Sequence, residues 1–186
     1  MTLFGARFSP TRHPFVTFGW EGIGKKVMKS DTLFNSEVIE IPDDLRFICP
    51  EEKLLQFVYE AQHSTSWPAS NLTLRNVFDP TPAPVLRSLL IYSLGIGVYS
   101  ARDIEIGVLQ ESNLRYLAAN HSPLSSTIHS YRRNHSIPIR AALNKLLELA
   151  LSVEESGDGI SAEQLAREAQ RRFLRATQAD SMALDE

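Results

Sequence analysis

The stretch Asp103–His135 constrains the fold most, because it has the pattern of two helices separated by a short polar break. Ser100 lies three residues before Asp103, which is the spacing at which a serine hydroxyl caps the start of a helix. Apolar residues then recur at helical spacing, at Ile104, Val108, Leu109, Leu114, Leu117 and Ala118. The pattern predicts a first helix that continues from Asp103 to about Ala118.

The sequence Asn-His-Ser-Pro at residues 120–123 interrupts this periodicity. We expect Ser122 to cap a second helix and Pro123 to occupy its first position, since proline suits the first helical turn. The second helix is predicted over Leu124–His135, with Ile128 and either Tyr131 or Arg132 facing inward. Its other faces carry polar side chains, namely Ser125, Thr127, His129, Arg133 and Asn134.

Small hydroxyls followed by basic residues are typical of helices that contact DNA phosphates and base edges. The pattern therefore predicts a helix-turn-helix-like unit whose partner is double-stranded DNA. We expect its second helix to lie in or near the major groove, as in known DNA-binding motifs. The predicted contact residues are Arg115, Ser125, Thr127, His129, Arg132, Arg133 and His135.

Charge is distributed unevenly along the chain, which has a net charge of -3. Residues 112–147 contain no Asp or Glu but include Arg115, Arg132, Arg133, Arg140 and Lys145. A surface that carries only positive charge would attract a polyanion. The alternative is that these residues form ordinary solvated helix faces.

Length and composition indicate one substantial core, because 186 residues with 43% hydrophobic content are ordinary for a globular protein. Cys49 is the single cysteine, so it forms no internal disulfide and fits a reducing compartment. The N-terminal fifteen residues lack the apolar segment of a secretory signal. The most apolar run, Leu89–Ala101, is too short to cross a bilayer. We expect a cytoplasmic protein with no membrane partner.

The fold is predicted to be mainly α, with a helical domain over residues 46–152 and a linker with a final helix over 153–186. Residues 1–45 form an N-terminal arm, irregular or with a short β-hairpin, since residues 15–20 and 37–41 favour strands. Gly22-Ile23-Gly24-Lys25-Lys26 lacks the remaining residues of a phosphate-binding loop and is interpreted as a glycine turn.

Four further helices complete the prediction. One follows Pro50, and one containing Leu86–Val98 is apolar enough to be the buried centre. Ser161 and Gln164 can cap a final helix over Ala162–Gln178. A helix that starts at Pro138 carries an apolar stripe, which packs on the core or forms a homodimer contact: Leu143, Leu146, Leu147, Ala150 and Leu151.

Several segments occur in an order and spacing known from one family. They are Phe78-Asp79-Pro80, then Leu86 to Tyr92, Ser100 to Glu105, Asn113 to Leu117, and Pro123 to His135 with its Ser-Thr-Ile and Tyr-Arg-Arg elements. On these segments, the stretch 47–151 resembles the N-terminal domain of bacterial insertion-sequence transposases of the DDE type, the InsH-like group. Two positions depart from the pattern: Leu124-Ser125 stands where Asp-His is usual, and Asn134 replaces a basic residue.

The resemblance implies binding to the terminal repeats of a mobile element. Such transposases continue into a ribonuclease-H-like core, whose three carboxylates hold two metal ions for strand transfer. Only about fifty residues follow the motif here, and Glu154, Glu155 and Asp158 lie in a linker. We therefore expect a DNA-binding module that is not an enzyme. The alternatives are a helical protein-interaction or dimerisation module, or a truncated transposase remnant without a selected function.

Other chemistry finds little support in the residues. His121, His129 and His135 are spaced by eight and six residues, so none forms the i, i+4 pair of a helical zinc site. No Gly-x-Ser-x-Gly element for a nucleophilic serine occurs. We expect no metal, no cofactor and no small-molecule substrate.

Overall fold

The computed structural model describes residues 40–68, 79–153 and 160–182, all within one compact unit, Val38–Glu186. A short 3₁₀ helix, Leu45–Phe47, precedes the α-helices of this part of the chain. These are α1 (Glu51–Ser64), α2 (Ala83–Gly95), α3 (Ala101–Gln110), α4 (Ser112–Ala118), α5 (Ser125–Asn134), α6 (Ser136–Leu151) and α7 (Ala162–Met182). Within the three described ranges there is no β-strand, and the prediction of a mainly α fold is confirmed.

Some predictions fall outside the described residues. They concern the N-terminal β-hairpin, the glycine turn at residues 22–26 and the linker acids Glu154, Glu155 and Asp158. None of the helices in the described ranges combines the length and the apolar character that crossing a membrane requires.

Helix α2 forms the centre of the core, as its composition predicts. It packs against α1, α4 and α6, and residues 89–95 are all buried, including the hydroxyl-bearing Tyr92 and Ser93. A helix that is apolar on every side is unstable when exposed to water, so other helices must pack around it. The sequence feature that marks α2 is therefore its lack of a polar face.

Two glycines end α2 and bring it close to its neighbours. A Cβ atom on Gly95 would lie 2.9 Å from Cδ2 of Leu146 on α6, so the missing side chain permits close helix packing. Gly97 has a φ of +79°, a left-handed conformation that disfavours residues with a Cβ atom. Gly95 thus permits a close helix–helix contact, and Gly97 allows the turn that follows the helix.

We expect Gly97→Ala to lower the free energy of unfolding by about 1–2 kcal/mol, because alanine is strained at this φ. Urea denaturation monitored by circular dichroism would measure the change. Gly97→Asn is the matched variant, and it should lose less because asparagine tolerates left-handed φ values. Equal stability of Gly97→Ala and the wild type would show that the turn relaxes without cost.

The helix predicted from Asp103 to Ala118 is two helices, which corrects that prediction. The Ser100 hydroxyl accepts a hydrogen bond from the Asp103 amide at 3.0 Å, so the predicted cap at the start of α3 is confirmed. Glu111 then adopts an extended conformation (φ −102°, ψ 130°) between α3 and α4. Helix α3 packs against both α4 and α5, and the predicted two-helix unit consists of three helices.

The start of α5 differs from the prediction in its cap. Leu124, not Ser122, is the N-cap residue, and no side chain of the N-cap position bonds to the helix. Pro123 lies before the cap and is buried, so it is not the first helical residue. The extent of the helix, Ser125–Asn134, otherwise agrees with the predicted one to within one residue at each end.

Helix α6 begins at Ser136, two residues before the predicted start at Pro138. Its apolar stripe is buried inside the unit, with Leu143, Leu146, Leu147 and Ala150 fully inaccessible to solvent. Of the two predicted roles the stripe therefore has the core role, since α6 packs against α1, α2 and α7. A homodimer would have to use another surface.

Helix α7 belongs to the same compact unit as the other helices, although the sequence suggests a separate C-terminal segment. Its predicted capping box is confirmed, because the Ser161 amide donates to Gln164 Oε1 at 2.7 Å and the Gln164 amide donates to Ser161 Oγ at 3.2 Å. The helix continues to Met182 and packs mainly on α6. Arg172 on this helix is fully buried.

Candidate nucleic-acid interface

Helix α5 divides into a buried side and a solvent-facing side. Its buried side consists of Ile128, Tyr131 and Arg132, continued by the C-cap residue His135. The opposite side, which we call the outer face of α5, consists of Ser126, His129, Ser130, Arg133 and Asn134. On this face Ser126, Arg133 and Asn134 are exposed, while His129 and Ser130 are partly buried.

Two carboxylates from other parts of the chain hold the N-terminus of α5. Asp79 Oδ2 accepts from the Leu124 amide at 2.9 Å, and Glu105 Oε2 on α3 accepts from the Ser125 amide at 2.9 Å. The first amides of a helix lack partners within it and carry partial positive charge, so carboxylates are favourable there. These acids replace the local serine cap that the sequence suggests.

Asp79 is buried, with 3% of its surface exposed. It also accepts from the Thr81 amide at 3.1 Å and from the Thr81 hydroxyl. Burial by itself would raise the pKa of Asp79, but the hydrogen bonds from Thr81 and the Leu124 amide, together with the nearby Thr127 hydroxyl, lower it below its ordinary value. The Thr127 hydroxyl is buried as well. The predicted contact of Thr127 with bases is therefore incompatible with this conformation.

Arg132 lies inside the unit instead of on the DNA-facing side, which corrects its predicted role. Only 2% of the residue is exposed. Its Nη1 atom donates to the Tyr99 carbonyl at 2.7 Å and lies 3.3 Å from Asp180 Oδ2. Nε and Nη2 are buried without a hydrogen-bond partner among the described residues. Burial lowers the pKa of Arg132, and the Asp180 carboxylate opposes that shift.

His135 is also buried and therefore cannot make the predicted contact with DNA. Its ring stacks on Tyr131 with 4.0 Å between the ring centroids, and its Nδ1 lies 3.0 Å from the Tyr131 carbonyl oxygen. His135 is both the C-cap of α5 and the N-cap of α6. Aromatic stacking of this kind stabilises the position of the imidazole ring. Both contacts are with a residue of α5, so the His135 side chain packs on the end of this helix and does not face DNA.

The remaining predicted residues are accessible to different degrees. Arg133 is exposed at the C-terminal end of α5, whereas Ser125 is partly buried, with its amide bound to Glu105. His129 is partly exposed, and its Nδ1 lies 3.2 Å from Asp180 Oδ2. Arg115 is exposed on α4 and donates to the Leu109 carbonyl at 2.5 Å. It caps the end of α3 and belongs to a different helix from the outer face.

The basic segment 112–147 is partly neutralised in three dimensions, which corrects the expectation of a surface with positive charge only. Asp180 on α7 faces His129 and Arg132, and Lys145 pairs with Glu148 at 3.2 Å. Arg140 contacts Gln170 and the ring of Phe173 on α7. The positive charge that stays on the surface of α5 is that of Arg133.

Ser126 and Ser130 are accessible polar residues that the predicted site omits. The helical repeat contains the signal that could have identified them. If Ile128, Tyr131 and Arg132 all face inward, Ser126, Ser130 and Arg133 lie on the opposite side of a 3.6-residue helix. The predicted contact set instead keeps Arg132 on the surface, where arginine usually lies.

Metal binding has no support in the described ranges, where no group of three His, Cys, Asp or Glu side chains could hold an ion. No protein-family model, curated protein or solved structure matches the chain. The resemblance to transposase N-terminal domains thus remains a prediction from the residues that carry it.

Proposed function

We propose that the chain binds double-stranded DNA through the outer face of α5. The observation that carries this proposal is the composition of the face. It presents two serine hydroxyls, an asparagine amide, an imidazole and the exposed guanidinium of Arg133, and α5 contains no acidic residue. Hydroxyl, amide and guanidinium groups are the usual protein donors to phosphates and to base edges.

The dimensions and anchoring of α5 fit this role. Ten residues correspond to a helix about 15 Å long, and the major groove, about 12 Å wide, admits such a helix. The N-terminus is held by Asp79 and Glu105, and the C-terminus continues through the stacked His135 into α6. A helix fixed at both ends presents its outer face with little loss of conformational entropy on binding.

The anchoring acids also determine which part of α5 contacts DNA. Asp79 and Glu105 place negative charge at the N-terminus, where a phosphate would be repelled. Phosphate contact is therefore assigned to the C-terminal half, through Arg133, with Ser126 and Ser130 nearer to the bases. This arrangement differs from motifs in which the N-terminal residues of the recognition helix contact bases.

The resemblance to transposase N-terminal domains suggests which class of DNA the chain would bind. Terminal repeats of a mobile element are the DNA that an InsH-like N-terminal domain would be expected to bind. In this proposal the chain is a cytoplasmic DNA-binding module and carries out no strand transfer itself.

Arg133→Ala is expected to weaken binding to duplex DNA and to reduce the slope of log affinity against log salt by about 1, the value for one lost phosphate contact. Fluorescence anisotropy with a labelled random duplex, titrated at several salt concentrations, would measure both quantities. The matched control is Arg167→Ala, which removes an exposed arginine paired with Glu163 on α7. It alters net charge equally but lies outside the outer face.

The DNA proposal fails if the wild-type chain shows no salt-dependent binding at low ionic strength. If the wild type binds but Arg133→Ala and Arg167→Ala behave alike, DNA contacts another surface. The assignment to α5 would then be wrong, although DNA binding itself would stand.

A further inference from the structure

An amide, an imidazole and a guanidinium from two helices lie within 3.3 Å of the carboxylate of Asp180 in the last turn of α7. The Ala101 amide, the first of α3, donates to Oδ1 at 2.8 Å. Nδ1 of His129 lies 3.2 Å from Oδ2, and Nη1 of Arg132 lies 3.3 Å from the same atom. The side chain of Asp180 is 5% exposed and is thus nearly inaccessible to solvent.

The groups around Asp180 are of the kinds that bind anions. A first-turn helix amide, a guanidinium and an imidazole are groups that bind phosphate in proteins, and charge-assisted hydrogen bonds of this kind are strong. Arg132 in addition has buried donor atoms that Asp180 does not satisfy. Its guanidinium is 98% buried, yet Nε and Nη2 find no acceptor in the described ranges. A carboxylate has two oxygens, whereas a phosphate group would offer more acceptors to the same donors.

Asp180 lies in the part of α7 whose local unfolding should require the least free energy. Ala176 is the last fully buried apolar residue of α7, and Thr177, Gln178, Ser181 and Met182 are exposed. The turn 177–182 is therefore held mainly by Asp180 itself. Terminal helix turns with few buried apolar contacts open locally at low free energy. Such opening would uncover Arg132 and His129 without separating the rest of α7 from α6.

We propose that the turn 177–182 is an intramolecular plug, in which Asp180 occupies a phosphate site made by the Ala101 amide, His129 and Arg132. A backbone phosphate of DNA bound along α5 competes with Asp180 for these donors. This inference rests on the proposed function, because the competing phosphate belongs to the DNA on the outer face. His129 connects the two sites, since it lies on that face and also contacts Asp180.

Asp180→Asn tests the plug by removing its negative charge with little change in shape. The matched control is Asp103→Asn, which alters net charge equally and lies exposed in the first turn of α3, the helix whose first amide contacts Asp180. We expect Asp180→Asn to bind duplex DNA about fivefold more tightly than Asp103→Asn, the lower end of common coupling factors between sites. Equal DNA affinity of the two variants would overturn the plug and leave the proposed function untouched.

A second measurement does not depend on DNA. Inorganic phosphate is titrated into each protein while the imidazole signals of His129 are followed by NMR. We expect a saturable shift in Asp180→Asn and a much weaker one in the wild type and in Asp103→Asn. If no variant binds DNA, the proposed function fails, and this titration still decides about the phosphate site. No shift in a folded Asp180→Asn protein would refute the site.

The wild-type chain provides a test in case Asp180→Asn does not fold. Hydrogen exchange is measured for the free protein and with saturating duplex DNA, or with high inorganic phosphate if DNA does not bind. The plug predicts faster amide exchange in residues 177–182 with ligand present, while the preceding turns of α7, residues 165–176, keep their protection. Unchanged protection of residues 177–182 in the bound state would overturn the proposal.

Discussion

Replacing Arg172 with alanine is expected to lower the free energy of unfolding by about 3–5 kcal/mol, as for other buried charges whose partners are left behind. The Arg172 side chain is fully buried. Its Nε donates to Glu168 at 2.7 Å. Its Nη1 and Nη2 atoms donate to four backbone carbonyls, those of Pro42, Asp43, Leu94 and Gly95.

The position of these carbonyls explains the size of the effect. Leu94 and Gly95 end α2, where the last carbonyls have no partner within the helix and carry partial negative charge. Pro42 and Asp43 precede the 3₁₀ helix, so a single guanidinium joins that segment and α2 to α7. Alanine would leave buried carbonyls without donors, and each such group costs free energy.

Urea denaturation of Arg172→Ala and of the control Arg167→Ala would measure the difference. Arg167 makes an exposed ion pair with Glu163, and its loss should cost less than about 1 kcal/mol. Arg172→Lys should fall between the two, because lysine keeps the charge but lacks the planar fork of donors. If both alanine variants lose the same stability, the carbonyls around Arg172 find other partners.

Local sequence signals were sufficient for most of the helices. The Ser100 cap, the reciprocal Ser161–Gln164 capping box and the unbroken apolar character of α2 each depend on residues close in sequence. The apolar stripe of α6 is likewise evident from residues close in sequence. Its pattern left open whether a core or a partner covers it, because periodicity identifies an apolar face but does not reveal what packs on it.

The errors occur where distant residues decide the outcome. The break at Glu111 interrupts no periodicity, since apolar positions continue at Leu114 on the other side. Glu111 is instead held by Arg46, 65 positions away, at 2.9 Å. In the same way Asp79, 45 positions before Leu124, supplies the acceptor at the start of α5 that Ser122 was expected to provide. Rules that use only neighbouring residues cannot predict such distant partners.

The candidate site was predictable in position but not in composition. The sequence predicts helix α5 and its polar residues, but it places Arg132 and His135 on the DNA-facing side, whereas both are buried. Arginine is rarely buried unless it is paired, and the partner of Arg132 is Asp180, 48 residues later on α7. A run of positive charge in sequence therefore does not define a positive surface, because acids from other helices lie beside it in the fold.

Asp79→Ala is expected to lower the free energy of unfolding by about 2–3 kcal/mol at neutral pH, as for hydrogen bonds to a charged group. The Asp79 carboxylate accepts the Leu124 amide, the Thr81 amide and the Thr81 hydroxyl. Without it, the N-terminus of α5 keeps only the contact with Glu105. Chemical denaturation measures the loss, and Glu60→Gln on the exposed face of α1 should change stability by less than about 0.5 kcal/mol.

The effect of Asp79 should also depend on pH in a defined direction. Its pKa is lower in the folded chain than the ordinary value of 3.8. The ionised carboxylate therefore contributes fully above the pKa of the unfolded chain, and this contribution is lost as the pH falls through the folded-state pKa. The stability difference between the wild type and Asp79→Ala should be constant from pH 7 down to about pH 5 and shrink on further acidification.

Measuring both proteins across this range separates two roles of the side chain. A difference that shrinks in acid would show that Asp79 acts as a charged acceptor for the amides at the start of α5. A difference that stays constant would contradict this and assign the loss to packing around the deleted carboxyl group. Asp43, Asp44 and Glu168 also have lowered pKa values, so both proteins lose stability in acid. Subtracting the stability of Asp79→Ala from that of the wild type at each pH removes the shared loss. The pH dependence that remains is due to the Asp79 carboxylate at the start of α5.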